Sequence, residues 1–222
     1  MLARIICLVL GYLLGSIIQG GYWLGRFNHI DIRNYGSGNA GTTNVMRTLG
    51  KKYGALTYLL DIFKVILAGI IVNFFIAPHF DVSELLLFLY AGFGTVLGHN
   101  FPFYLGFKGG KGIAATSGLV IALIPFPHYC FAFTLFGLIT FPLVLFLTKY
   151  VSLASLIGIA GFFIEFVIWD LLGFLPLNGT EHIEGCVIVF LFAALGFIRH
   201  AANIKRLING TERKMGEKNG KN

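Results

Sequence analysis

Apolar residues occur along this chain in long runs separated by short polar stretches. A helix that crosses a bilayer needs about 20 mostly apolar residues, because it rises about 1.5 Å per residue through roughly 30 Å of hydrocarbon. Residues 5–24, 55–77, 85–103 and 152–174 reach that length, and residues 185–198 supply a shorter final run. Residues 5–24 lack the charged leader and small-residue cleavage site of a simple secretion signal, so they read as a retained first helix. Residues 112–148 carry no charge and are too long for one crossing, and Pro125-Phe126-Pro127-His128 is where proline would interrupt them. The pattern predicts an all-α, polytopic integral membrane protein with about seven transmembrane helices.

Composition agrees with that reading. Only 12% of the 222 residues are charged and 56% are hydrophobic, which excludes disorder, collagen and a small disulfide scaffold. Cys7, Cys130 and Cys186 lie far apart in apolar stretches without CxxC or Cys/His spacing, and read as packing residues. The net charge of +7 suits either anionic lipid or an anionic substrate, so the placement of the cations matters.

Residues 25–54, 105–112 and 148–151 and the residues after Ile198 hold Arg26, Arg33, Arg47, Lys51, Lys52, Lys108, Lys111, Lys149, Arg199, Lys205 and Arg206. The alternate connections, around 78–84, 125–128 and 170–184, hold no Lys or Arg and carry Asp81, Glu84, Asp170, Glu181 and Glu184. Positive charge marks the cytoplasmic side, which places the N-terminus outside and the C-terminus in the cytoplasm, with Arg4 the one dissenter. A single integral membrane domain over residues 1–212 and a basic cytoplasmic tail over 213–222 follow. Every glycine-rich and cationic stretch then falls on one membrane face.

The first such stretch reads Asn34-Tyr35-Gly36-Ser37-Gly38-Asn39-Ala40-Gly41-Thr42-Thr43-Asn44-Val45-Met46-Arg47. Small residues let backbone amides approach an anion, hydroxyls and amides add donors, and Arg47 offers a planar fork for two phosphate oxygens. It reads equally as a polar turn between helices. The second stretch, Gly106-Phe107-Lys108-Gly109-Gly110-Lys111-Gly112, combines two ammonium groups, exposed amides and a helix start. It lacks the Gly and the Ser or Thr of a nucleotide P-loop, and its flanks are membrane helices. After the last run, His200 and Asn203 share a face if the helix continues, with Arg199, Lys205 and Arg206 on its rim. A juxtamembrane basic anchor is the alternative, and the better one for Lys205 and Arg206. Ser152 and Ser155 add hydroxyls near the same face, or simply cap a helix.

Inside the spans, Asp61 and Lys64 lie three apart and read either as a functional pair or as a mutually neutralising brace. Glu165 has no sequence-local partner. The GxxxG spacings Gly11/Gly15 and Gly21/Gly25 point to close helix packing.

Taken together, the runs 36–47 and 107–112, Ser152-Leu153-Ala154-Ser155, and Asn203-Ile204-Lys205-Arg206-Leu207 resemble the bacterial acyl-phosphate:glycerol-3-phosphate acyltransferases, the PlsY family. The resemblance runs from the first helix through the basic end of the last, in order and spacing. It implies transfer of an acyl group from acyl phosphate to the 1-hydroxyl of glycerol 3-phosphate, giving lysophosphatidic acid without a covalent acyl-enzyme, in the bacterial cytoplasmic (inner) membrane. It places the catalytic group at Ser37, Arg47, Lys111, His200 and Asn203. Substrate contacts would come from Gly36, Gly38, Asn39, Gly41, Thr43, Asn44, Lys108, Gly109, Gly110 and Ser155. Acyl phosphate, glycerol 3-phosphate and membrane lipids are the implied partners, and docking of the soluble acyl-phosphate-forming enzyme stays open. No nucleic acid, cofactor or metal is expected, since no carboxylate cluster sits near the motifs. A transporter for a phosphorylated solute is the competing class, opposed by the crowding of the motifs at one face and the lack of an internal repeat.

Overall fold

The structure, a computed structural model, describes residues 1–123 and 131–217. Its helices are α1 (Leu2–Ile17), α2 (Gly20–Phe27), α3 (Thr42–Leu49), α4 (Lys51–Ile71), α5 (Glu84–Asn100), α6 (Ile113–Ala122), α7 (Phe131–Thr148), α8 (Val151–Leu171), α9 (Glu181–Arg199) and α10 (Ala201–Ile208). Among the described residues there is no strand. Among the described residues, five segments are long and apolar enough to cross a membrane: Leu2–Phe27, Lys51–His79, Glu84–Leu105, Val151–Leu171 and Glu181–Arg199. Ile113–Ala122 and Ile139–Thr148 are shorter apolar helical stretches. The expected proline turn at 125–128, and Cys130, lie outside the described residues.

Helix α5 forms the centre, with Leu85 to Leu89 buried on every side. It meets α1 backbone to backbone. A Cβ on Gly11 would lie 1.9 Å from the Ala91 carbonyl oxygen and one on Gly15 2.1 Å from that of Thr95. The fit is reciprocal, since a Cβ on Gly94 or Gly98 would lie 2.1 Å from the carbonyl oxygen of Leu8 or Tyr12. In hydrocarbon, where apolar contact alone gives little preference between helices, this approach lets dispersion hold the pair. Leu2, Val9, Leu13 and Ile17 on α1, like Phe146 and Leu147 on α7, remain exposed, as lipid-facing positions should be.

The first predicted helix is two helices, broken at Ile18 and Gln19. The break leaves carbonyls that need donors in a waterless layer. Gln19 Nε2 donates to the carbonyls of Gly15, Gly98 and His99 at 2.9, 3.2 and 3.2 Å. Lys64 Nζ, fully buried, donates to the Ile18 carbonyl at 3.0 Å and to Asp61 Oδ1 at 2.7 Å, and lies 2.7 Å from His99 Nδ1. Asp61 and Lys64 therefore brace α4 against α5 and the α1–α2 break.

The last span is longer than its uncharged run. Glu181 and Glu184 lie in the first turn of α9 with partners: Glu181 accepts from the backbone N–H of Ser83 at 2.9 Å and of Asn178 at 3.0 Å. Glu184 takes the Arg4 guanidinium with both oxygens, at 2.6 and 2.7 Å, and the Tyr90 hydroxyl at 2.8 Å. Arg4 thus sits at the acidic end of the bundle as a neutralised cation.

Candidate active site

The polar motifs gather at the opposite end. In the first, Gly36 and Gly38 adopt positive φ, 58° and 72°. A Cβ on Gly36 would fall 2.2 Å from Asn44 Oδ1, so the tight turn depends on glycine there. Asn44, buried at the start of α3, holds the loop closed. Its Nδ2 donates to the carbonyls of Ile32, Tyr35 and Asn39 at 3.1, 2.9 and 3.0 Å, and its Oδ1 accepts from the Ser37 amide at 2.8 Å. Asn44 has no donor left for a ligand and acts as the loop's brace. Gly21 on α2 lets the loop dock, since its Cβ would lie 2.1 Å from the Ala40 carbonyl oxygen. Ser37 is left exposed at the surface, its hydroxyl 3.3 Å from Asn39 Nδ2. Thr43 and Arg47 lie on α3, a helix the sequence did not suggest, with Gly41 as its cap.

The Arg47 guanidinium makes no hydrogen bond among the described residues, and it lies in the field of Arg213, Glu212 and Arg206. Burial, with Arg213 and Arg206, draws its pKa below the usual guanidinium value. Arg33 is committed elsewhere: it grips Asp31 at 2.7 Å and donates to the Leu105 carbonyl at 2.9 Å, tying the first motif to the second. That guanidinium holds the Asp31 carboxyl below the ordinary carboxylate range.

The second motif corrects one expectation. The amides of Gly109 and Gly110 are spent on the carbonyls of Asn100 and His99, both at 3.1 Å, where they satisfy the end of α5. They are not free to cradle an anion. Arg199, expected on the rim, instead braces this turn through the Gly110 carbonyl at 2.8 Å. A Cβ on Gly110 would lie 2.2 Å from His99 Nε2, so the turn rests directly on the ring held by Asp61 and Lys64. Lys108 is exposed and Lys111 turns inward to donate to Asn203 Oδ1. Burial pulls Lys111 down to about 8, reinforced by Arg206, Arg199 and Arg47 and opposed by Glu212.

The third side is built at the joint between α9 and α10, which breaks at His200. His200 Nδ1 lies 2.8 Å from the Gly196 carbonyl oxygen. A carbonyl only accepts, so Nδ1 carries the proton and Nε2 keeps a lone pair. Burial and the nearby Lys111 charge lower this histidine to about 4. Asn203 offers its oxygen to Lys111 and its Nδ2 to Glu212 at 2.7 Å. Glu212 also accepts from Ser152 Oγ at 2.9 Å and Arg206 Nε at 2.6 Å. Burial alone would raise its pKa; these three donors outweigh it and hold the carboxyl below its ordinary range.

Of these, sequence reasoning missed Glu212, read Arg206 as a lipid anchor, and read Ser152 as a hydroxyl near this face or a helix cap. The available signal was that Glu212 is the lone carboxylate between Arg199 and Gly216. The chain after α10 folds back so that the Met215 amide donates to the Lys149 carbonyl at 2.7 Å. Ser155 is buried, and its hydroxyl returns to the Val151 carbonyl at 2.8 Å. It lies at one end of a cavity of about 80 Å³ between α6, α7 and α8, lined by Ile113, Val120, Phe141, Gly158 and Phe162 among others, with Glu165 toward the far end. Lys111, His200 and Asn203 are thus gathered with Arg47 in range, and Ser37 stands in the adjoining loop. Among the described residues no group of His, Cys, Asp or Glu is arranged to hold a metal.

Comparison with known proteins shows the family. A family model described as glycerol-3-phosphate acyltransferase matches residues 5–210. A curated glycerol-3-phosphate acyltransferase of Clostridioides difficile (strain 630) is 41% identical over 214 residues, covering 96% of each chain. One from Streptococcus pneumoniae (strain Taiwan19F-14) is 39% identical, covering 94% of this chain and 91% of the relative. Among solved structures, the integral membrane glycerol 3-phosphate acyltransferase PlsY in its glycerol 3-phosphate form superposes with a TM-score of 0.78 at 32% identity, covering 96% of both chains. Its lysophosphatidic acid form gives 0.76 at 32% identity, covering 96% of this chain and 95% of that one. The chain is an all-helical, multi-pass membrane protein and belongs to the PlsY family of glycerol-3-phosphate acyltransferases.

Proposed function

We propose that this protein transfers an acyl group from acyl phosphate to the 1-hydroxyl of glycerol 3-phosphate, releasing lysophosphatidic acid and inorganic phosphate for phospholipid synthesis. The observation that carries the reading is the junction at α8. On one side the network of Lys111, Asn203, Glu212 and Ser152, with Arg47 in range, offers cations for phosphate; on the other, beginning at Ser155, lies a largely apolar cavity suited to an alkyl chain. Arg47 and Lys111 bind and orient the two phosphates, helped by the Ser37 hydroxyl and Asn203, with Lys108 at the entrance. The hydroxyl oxygen attacks the acyl carbon, the bond from that carbon to the phosphate oxygen breaks, and phosphate leaves with the electron pair. Acyl phosphate is already activated, so orientation and charge stabilisation suffice without a covalent enzyme intermediate.

The proton goes to a substrate phosphate oxygen. A phosphate monoester has a second pKa near about 6, whereas His200 is held to about 4, so the phosphate is the stronger base by roughly two units. His200 Nε2 accepts the hydrogen bond of the neighbouring 2-hydroxyl of glycerol 3-phosphate and so orients the attacking one. The site end faces the cytoplasm of a bacterial cell, as the Lys/Arg distribution requires, with about seven crossings, the N-terminus outside, one domain over residues 1–212 and the tail 213–222 inside.

The test is direct. Purified protein in lipid vesicles, given palmitoyl phosphate and glycerol 3-phosphate without added metal, should form lysophosphatidic acid and phosphate in equal amounts. Absence of product, or product only with acyl-CoA, sinks the reading. Arg47→Ala should keep the fold and lose about 10²- to 10³-fold in turnover, the scale for removing one preorganised charge-stabilising donor.

A further inference from the structure

We propose that Glu165 sets the upper length limit of the acyl chain this enzyme accepts. The inference rests on the reading above, in which the donor's chain enters the α6–α7–α8 cavity from its Ser155 end.

Ser155 and Glu165 both line this cavity and lie ten residues apart on one helix, about 15 Å along its axis. Between them the floor is open: where Gly158 and Gly161 would carry a Cβ, no atom comes within 4 Å. The hydroxyls on the walls offer nothing to a ligand as donors. Thr116, Ser117, Thr140 and Ser155 each donate to a carbonyl three or four residues back on their own helix, those of Gly112, Ala114, Phe136 and Val151. Glu165 differs from all of them, because its carboxyl makes no hydrogen bond or ion pair among the described residues.

A carboxyl group at membrane depth without a partner is costly, and such groups mark functional positions. Along the apolar stretch each added methylene finds apolar partners and strengthens binding several-fold. Beyond it, a further methylene must strip water from the carboxyl and gives nothing in return. The chain is therefore measured from the phosphate end: its head is fixed by the cationic cluster and its terminal methyl must stop short of Glu165.

The experiment compares lauroyl, myristoyl, palmitoyl and stearoyl phosphate as donors, with the full chain in lipid vesicles and saturating glycerol 3-phosphate. Wild type should show a sharp fall in kcat/KM at one chain length. Glu165→Leu should raise the stearoyl-to-lauroyl ratio by about 10-fold, the scale of one methylene-sized discrimination, and Glu165→Gln by less. Gly158→Leu, which plugs the floor midway, should move the fall to shorter chains. A Glu165→Leu profile that superposes on wild type while Gly158→Leu shifts it overturns the role of Glu165 and leaves the cavity as the acyl site. If neither variant moves the profile, the chain lies elsewhere and the inference falls. Should wild type use none of the four donors, the functional reading itself fails and takes this inference with it.

Discussion

The Lys111 ammonium donates to the side-chain oxygen of Asn203, 92 positions later, joining the glycine-rich turn before α6 to the helix that follows the last span. Because the amide's nitrogen is occupied by Glu212, Asn203 cannot rotate freely, and the ammonium is held in one place. The contact also fixes a pH dependence. Lys111 is charged below its pKa, so activity that needs this cation is present below about pH 8 and lost as pH rises through it. We expect an alkaline limb near that value in kcat/KM for glycerol 3-phosphate. Lys111→Arg, which stays protonated, should remove the limb even if turnover drops; an identical limb in that variant would show that another group titrates.

His200 contributes no limb of its own on the acid side. With its pKa held to about 4, it is neutral throughout the range where an ordinary histidine would titrate, near about 6.5. Between roughly pH 5 and pH 7.5, wild type and His200→Gln should differ in rate by a constant factor, on the order of 10²-fold for a hydrogen-bonded orienting group. A limb near neutral pH in wild type that His200→Gln abolishes would identify the histidine as the base.

Glu212 carries a prediction about the end of the domain. Its loss leaves Asn203 Nδ2, Ser152 Oγ and Arg206 Nε facing an empty position. Glu212→Ala should lower stability by about 2–3 kcal/mol, as expected for a buried charged hydrogen-bonding partner, and should reduce activity as Asn203 loosens. Thermal unfolding in detergent, read beside turnover, checks both, and an unchanged melting point refutes the bracing role.

The Asp61–Lys64 pair makes the opposite kind of forecast. Lys64→Met alone strands a buried carboxylate and should cost about 3–5 kcal/mol. Combining it with Asp61→Leu should recover most of that loss, since two apolar groups replace two charges. Failure of the double variant to recover would mean that the ammonium's bond to the Ile18 carbonyl, at 3.0 Å, matters more than the pair.

The motifs of the candidate site were readable because they are contiguous. Gly36, Ser37, Arg47 and Lys111 stand in short polar runs that contrast with the apolar chain around them. The roles inside those runs were not readable. Asn44 and Arg47 lie three residues apart, yet one is consumed by carbonyls of its own loop and the other keeps its donors. Arg199 looked like rim charge and is a brace for Gly110, and Glu212, the last residue of the predicted domain, is a hub. Hydrogen-bond partners depend on which helix ends meet, and spacing along one strand of sequence does not contain that.

Hydrocarbon length, charge asymmetry and glycine spacing were decided by the chain itself, because a bilayer admits few solutions: apolar runs of a set length must be helices, and GxxxG faces must find a close neighbour. The tertiary structure alone decided where the first helix breaks and which carboxylates can enter the last span. Those outcomes require a partner from elsewhere, Lys64 for the Ile18 carbonyl and Arg4 for Glu184. A buried polar group is tolerable only when its complement arrives, and packing determines that arrival.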